Sequence, residues 1–150
     1  MKIALTDAQA PAAVVQRLLR AVNDHDLDAL VACFAQDYVN ETPAHPLRGF
    51  RGREQVRRNW TQILDGVPDL QAEVLRTVVD GAVIWTEWEM TGVRRDGGQF
   101  AMRGVVIFGI SDGVVAWARF FLEPVESSSG DIDAATSRVL GNRAEVEESS

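Results

Sequence analysis

The sequence predicts an α+β fold: a strongly curved antiparallel sheet closed by about three N-terminal helices, which leaves a cone with an open mouth. Three observations carry this. Helical periodicity is concentrated before Leu70, strand-sized apolar runs follow one another from Leu70 to Leu122, and Asp80-Gly81, Asp96-Gly97-Gly98 and Asp112-Gly113 separate those runs. Asp-Gly between apolar runs is the strongest short hairpin signal, and helices followed by a meander should collect on one face of the sheet.

Along the chain, Val14, Val15, Leu18, Leu19 and Val22 recur at helical spacing within Asp7 to Val22, with Pro11 early enough to be tolerated in a first turn. Asn23-Asp24-His25-Asp26 breaks that helix, leaves His25 facing solvent and offers Asp26 as N-cap to a shorter one bearing Leu27, Leu30, Val31 and Phe34. Tyr38 to Thr42 reads as a short strand, and Pro43 to Gly52 holds too many prolines and glycines to be regular. A third helix from Arg53 to Leu64 puts Val56, Trp60, Ile63 and Leu64 on one face. The strands are then expected at Leu70–Val79, Val83–Arg94, Phe100–Ile110 and Val114–Leu122. Residues 1–125 form one domain, and 126–150 form an acidic, flexible tail in which Ile132, Ala135, Val139 and Leu140 would make one short helix on docking.

Composition sets the partners. The 150 residues carry a formal net charge of -7 and are 46% apolar, which gives one real core and opposes both nucleic acid and an acidic membrane surface. There is no apolar run of spanning length, and Met1 to Leu5 is too short for a signal segment, so the expected location is cytoplasmic. The single cysteine, Cys33, lies in an apolar segment and reads as a buried, inert thiol. His25 and His45 are well separated and lack a carboxylate cluster, so neither a metal nor another cofactor is expected.

The segments Asn23 to Leu30, Asp37-Tyr38-Val39-Asn40, Gly49-Phe50-Arg51-Gly52, Pro68-Asp69-Leu70, Asp112-Gly113 and Arg119-Phe120-Phe121-Leu122-Glu123 occur in an order that resembles the SnoaL-like branch of the nuclear transport factor 2 superfamily. The resemblance covers about residues 8 to 125. It implies a cone-shaped cavity, a homodimer formed through the sheet, and a function drawn from polyketide cyclases, ketosteroid isomerases, epoxide hydrolases, dehydratases or silent binding domains. It also implies that the position of Arg119 corresponds to a catalytic acid of similar epoxide hydrolases, where this chain has Glu87, Glu89 and Arg119. Thr42-Pro43 stands where ketosteroid isomerases have an Asp before Pro, and Val106 where their acidic donor sits, which disfavours that activity.

Pairing Ser111 with Val114 across the Asp112-Gly113 turn puts Met102, Val106 and Phe108 on one face with Trp117, Arg119, Phe121 and Glu123. A two-residue turn at Asp96-Gly97 adds Trp85, Glu87 and Glu89 to that face, whereas a bulge at Gly98 reverses them. Charges beside large aromatics make this face the expected pocket lining, where Glu87 is the candidate general base, Arg119 the oxyanion holder and His45, from the rim loop, an auxiliary acid. The alternative for Glu87, Glu123 and Arg119 is a structural ion pair, and for His45 a loop histidine turned outward. Tyr38 and Asn40 share a face of their strand and could orient a water or carbonyl. Trp60, with Trp85 and Trp117, would wall a flat ligand or simply fill the core. The predicted function is cofactor-free acid/base chemistry (isomerisation, cyclisation, dehydration or hydrolysis) on a small hydrophobic molecule, polycyclic ones included; the alternative is a ligand-binding or dimerisation module of the same fold.

Overall fold

The computed structural model describes residues 7–128 and 130–141. Helix α1 (Pro11–Asn23) begins with Pro11 in its first turn and buries Val14, Val15, Leu18, Ala21 and Val22, one stripe of a 3.6-residue period. Helix α2 (Leu27–Ala32) is capped by Asp26, whose carboxylate accepts the Ala29 N–H at 3.1 Å. Strand β1 (Phe34–Glu41) follows at once and is longer than expected. A 3-10 turn (Pro46–Arg48) and the short strand β2 (Phe50–Arg51) lead into α3 (Arg53–Gly66). Strands β3 (Gln71–Asp80), β4 (Val83–Val93), β5 (Gln99–Ser111) and β6 (Val114–Pro124) complete one six-stranded sheet in the order β2-β1-β6-β5-β4-β3.

The sheet is mixed rather than wholly antiparallel, because β1 pairs parallel to β6, with Asn40 opposite Ala118 and Glu41 opposite Arg119. It is also open, with β2 and β3 at its edges. Its inner face carries Ile84, Thr86 and Trp88 from β4, Val106 and Phe108 from β5, and Ala118 from β6; all are buried together with Val14 and Leu18 of α1. Each such Val, Leu, Ile or Phe contributes roughly 1.5–3 kcal/mol relative to exposure.

The turn between α1 and α2 is tied to the start of β3. Asn23 donates to the Ala72 carbonyl at 3.0 Å and accepts the Ala72 N–H at 2.7 Å, acting as a strand partner for an edge that has none. His25, expected in solvent, instead places Nε2 2.8 Å from the Leu70 carbonyl, so Nε2 carries the hydrogen. The backbone of His25 takes a left-handed conformation (φ 56°), which turns the ring back toward the sheet.

Register decides the pocket, and here the structure corrects the sequence reading twice. Ser111 does face Val114, but the pairing shifts between Ile110–Val115 and Gly109–Trp117, leaving Ala116 as an extra residue. A one-residue bulge transfers everything beyond it to the opposite face. Phe108 and Val106 therefore share the inner face with Ala118 and Phe120, while Trp117, Arg119, Phe121 and Glu123 go to the outer face. At the next hairpin Val93 pairs with Gln99, so the turn runs from Arg94 to Gly98 instead of closing tightly on Asp96-Gly97. Trp85, Glu87 and Glu89 consequently oppose Ile107, Val105 and Arg103 on the outer face.

Helix α4 (Ile132–Val139) forms where a short tail helix was expected, capped by Asp131 on the Ala134 N–H, yet Ile132, Val139 and Leu140 stay exposed. The ends of the chain, including Met1 to Leu5 and the terminal acidic run, lie outside the described residues.

Candidate functional site

A cavity of about 270 Å³ opens between α3, the Thr42–Phe50 loop and the inner face of the sheet. Helix α3 supplies Val56, Asn59, Trp60 and Ile63, the sheet supplies Met90, Met102, Phe120 and Leu122, and Arg48 and Phe50 stand at the loop side. A smaller space of about 30 Å³ continues inward between Trp88, Phe108 and the α1 residues Leu18 and Val22. This deep end is apolar in effect: the Trp88 indole N–H donates to Thr86 Oγ1 at 2.7 Å and that hydroxyl donates to the Val106 carbonyl at 2.6 Å, so neither seeks a ligand.

The polar wall comes from β1. Phe34, Tyr38 and Asn40 project inward, the Phe34 and Tyr38 rings meeting edge-on at 4.8 Å. The Tyr38 hydroxyl donates to Asn40 Oδ1 at 2.7 Å, with Tyr38 1% and Asn40 8% exposed. Burial pushes the Tyr38 hydroxyl far above its ordinary pKa, so it stays protonated and remains a donor. On α3, Gln55 donates to Asn59 Oδ1 at 2.8 Å.

His45 Nε2 lies 3.2 and 3.3 Å from the two carboxylate oxygens of Glu123. Arg48 Nη1 is 4.0 Å from the same carboxylate. The loop that carries His45 follows β1, which runs parallel to β6, and this brings His45 to Glu123 on the outer strand face. Among the described residues, no Asp or Glu lines the cavity.

Of the residues singled out in the sequence, Tyr38, Asn40, Trp60 and Met102 line the cavity, and Val106 and Phe108 line its deep end. Glu87, Glu89, Arg119, Trp85, Trp117 and Phe121 do not, because the register carries them outward. Glu87 lies 3.8 Å from Arg76, Glu89 pairs with Arg103, and Arg119 pairs with Glu41 at 3.4 Å; the side chain of Arg119 is 46% exposed. Glu87, Glu123 and Arg119 are therefore each paired with a different residue and not with one another. Glu123 and His45 pair with each other and neither lines the cavity; Arg48, which does, lies 4.0 Å from Glu123.

Sequence reasoning missed Asn59, Met90, Phe120 and Leu122. Asn59 lies on α3 between Val56 and Ile63 of the expected apolar face; Phe120 and Leu122 were hidden by the bulge, and Met90 by the wider turn between β4 and β5. Cys33 is buried and desolvation raises its thiol pKa, as an inert cysteine requires. Among the described residues no group of three or more His, Cys, Asp or Glu could hold a metal ion, and no helix is long and apolar enough to cross a membrane.

The SnoaL-like domain family matches residues 15–120. The chain belongs to that family. This SnoaL-like protein is similar in fold to IdmH from Streptomyces antibioticus, a candidate polyketide cyclase: 23% identity, TM-score 0.62, covering 75% of this chain and 91% of that one. It is similar to RV0760c from Mycobacterium tuberculosis, solved with estradiol-17beta-hemisuccinate, at 18% identity and TM-score 0.65 over 83% and 95% of the two chains. AclR from Streptomyces galilaeus, a candidate hydroxylase, aligns at 17% identity and TM-score 0.66 over 75% and 78%. No curated protein matches the chain.

Proposed function

We propose that this SnoaL-like protein takes a small hydrophobic molecule of two or three fused rings into a conical pocket and performs cofactor-free proton transfer on it at the mouth. The observation that carries the reading is the cavity itself, apolar at depth, with hydrogen-bonding groups on one wall and with the His45–Glu123 pair next to Arg48 of its lining. Glu123 orients the imidazole, and His45 moves the proton. The wall groups fix the ligand's polar end. Isomerisation, cyclisation, dehydration and hydrolysis all begin with such a proton movement. The steroid ester held by the Mycobacterium tuberculosis protein supports a ligand of fused rings.

The test is deuterium exchange of the α-protons of 1-tetralone in D2O, followed by NMR. Exchange above background in the wild type, lost in His45→Ala, is the expected result. Background exchange by a wild-type protein that binds the ketone would favour the second reading, a binding module without chemistry, which the absence of lining carboxylates supports.

We also propose a homodimer through the outer sheet face. Val78, Trp85 and Phe121 are 66%, 50% and 40% exposed there, amid the ion pairs of Glu87, Glu89 and Arg119. Sedimentation at micromolar concentration should give twice the chain mass, and Trp85→Glu should give a monomer; a wild-type monomer refutes it.

A further inference from the structure

The hydrogen-bonding inventory of the pocket is one-sided. The Tyr38 hydroxyl has a single hydrogen-bond partner among the described residues, Asn40, and being protonated it must donate, so the Asn40 oxygen is the atom that faces it. That fixes the amide, whose NH₂ group has no partner among the described residues. Among the described residues no buried side-chain nitrogen or oxygen is left unsatisfied, so this NH₂ is open to space, and for a residue only 8% exposed that lines the cavity, the space is the cavity.

The same reasoning applies to Asn59. Its oxygen is taken by Gln55, which leaves its NH₂ as the group still to be used. Arg48 has donors only, and Glu123, its nearest carboxylate, is 4.0 Å away, beyond hydrogen-bond reach, and is engaged by His45. Thr42, 8% exposed, carries a lining hydroxyl that can both donate and accept. The pocket therefore combines an apolar body, two amide donors, one guanidinium and no lining carboxylate.

We propose that the pocket selects an apolar molecule whose polar end is an anionic oxygen, a carboxylate or an enolate, and rejects the corresponding amine. This rests on the ligand-pocket reading above and specifies it. A carboxylate accepts from Asn40, Asn59 and Arg48 together, and charge-assisted hydrogen bonds are roughly twice as strong as neutral ones. An ammonium group meets donors that it cannot bond and a positive charge that repels it. For proton transfer the same donors hold the negative oxygen that appears when a carbonyl compound loses its α-proton.

The experiment compares 2-naphthoate, 2-naphthalenemethanol and 2-naphthylmethylamine by calorimetry against wild type, Arg48→Met and Asn40→Asp. The Asp variant keeps an acceptor for Tyr38 while replacing the donor, and Arg48→Met, at an exposed rim position, serves should the buried carboxylate disturb folding. Naphthoate should bind the wild type at least about tenfold more tightly than the alcohol, with no measurable amine binding, and either substitution should remove that preference. Equal binding of alcohol or amine overturns the inference but leaves the pocket. A naphthoate preference that survives both substitutions overturns the assignment of these donors. If none of the three binds, the ligand-pocket reading falls and takes the inference with it.

Discussion

Trp117 occupies the space that a side chain at Gly109 would need. The two residues face each other across β5 and β6, and a β-carbon at Gly109 would come 2.0 Å from Trp117 Cε2 and 2.1 Å from its Nε1. This contact lies next to the bulge at Ala116, so the glycine lets the indole fold across the partner strand where the register changes.

Gly109→Ala should therefore destabilise the protein by about 1–3 kcal/mol, the usual cost of overpacking. Urea denaturation checks this. A loss under about 0.5 kcal/mol, within the range of neutral surface substitutions, would mean that the indole moves aside freely.

The Tyr38–Asn40 bond should behave as a buried pair. Tyr38→Phe leaves Asn40 Oδ1 without a donor and should cost about 1–3 kcal/mol, whereas adding Asn40→Leu should cost much less than the two single losses combined. Chemical denaturation of the four proteins gives the coupling. Strict additivity would contradict the bond.

Much of the fold was legible because its signals are local. Asp26 caps α2 as its position before an apolar stripe requires, and the turns at Asp80-Gly81 and Asp112-Gly113 fall where written. The site was half legible. Tyr38 and Asn40 are on β1 and Trp60 is on α3, so each could be placed from its own element's period without reference to a partner strand. Glu87 and Arg119 could not, because their faces depend on events in other strands. One is the bulge at Ala116, set by packing of Trp117 on Gly109; the other is the wider turn held by Asp96. His45 and Glu123 are far apart in sequence and meet because β1 runs parallel to β6, a pairing that no turn announces.

That wider turn gives a pH prediction. Asp96 accepts from the Arg94 side chain at 3.0 and 3.2 Å and from the Gly98 N–H at 2.9 Å, and these bonds hold its carboxyl below the ordinary 3.8. A folded-state pKa below the unfolded one stabilises fully above the unfolded value and is lost as the pH falls through the folded value. Asp96→Ala should thus lower the Tm at pH 7, and the gap should close as the pH is taken below 3.8. A gap that widens in acid would contradict the sign.

The register predicts that the outer-face charges do not contact a ligand. Glu87→Gln and Arg119→Met should each leave the Kd for 2-naphthoate within about twofold, well under the tenfold that 1.4 kcal/mol represents. Loss of binding in either variant would put that side chain back at the pocket.

The central claim is that the ligand occupies the space between α3 and the inner sheet face. Met90 and Met102 both line it and oppose each other across β4 and β5. With 13C-labelled methionine methyl groups, assigned through Met90→Leu and Met102→Leu, titration with 2-naphthoate should shift both resonances along one saturation curve. Saturating 2-naphthoate that leaves both unmoved, while calorimetry shows it bound, would contradict the account.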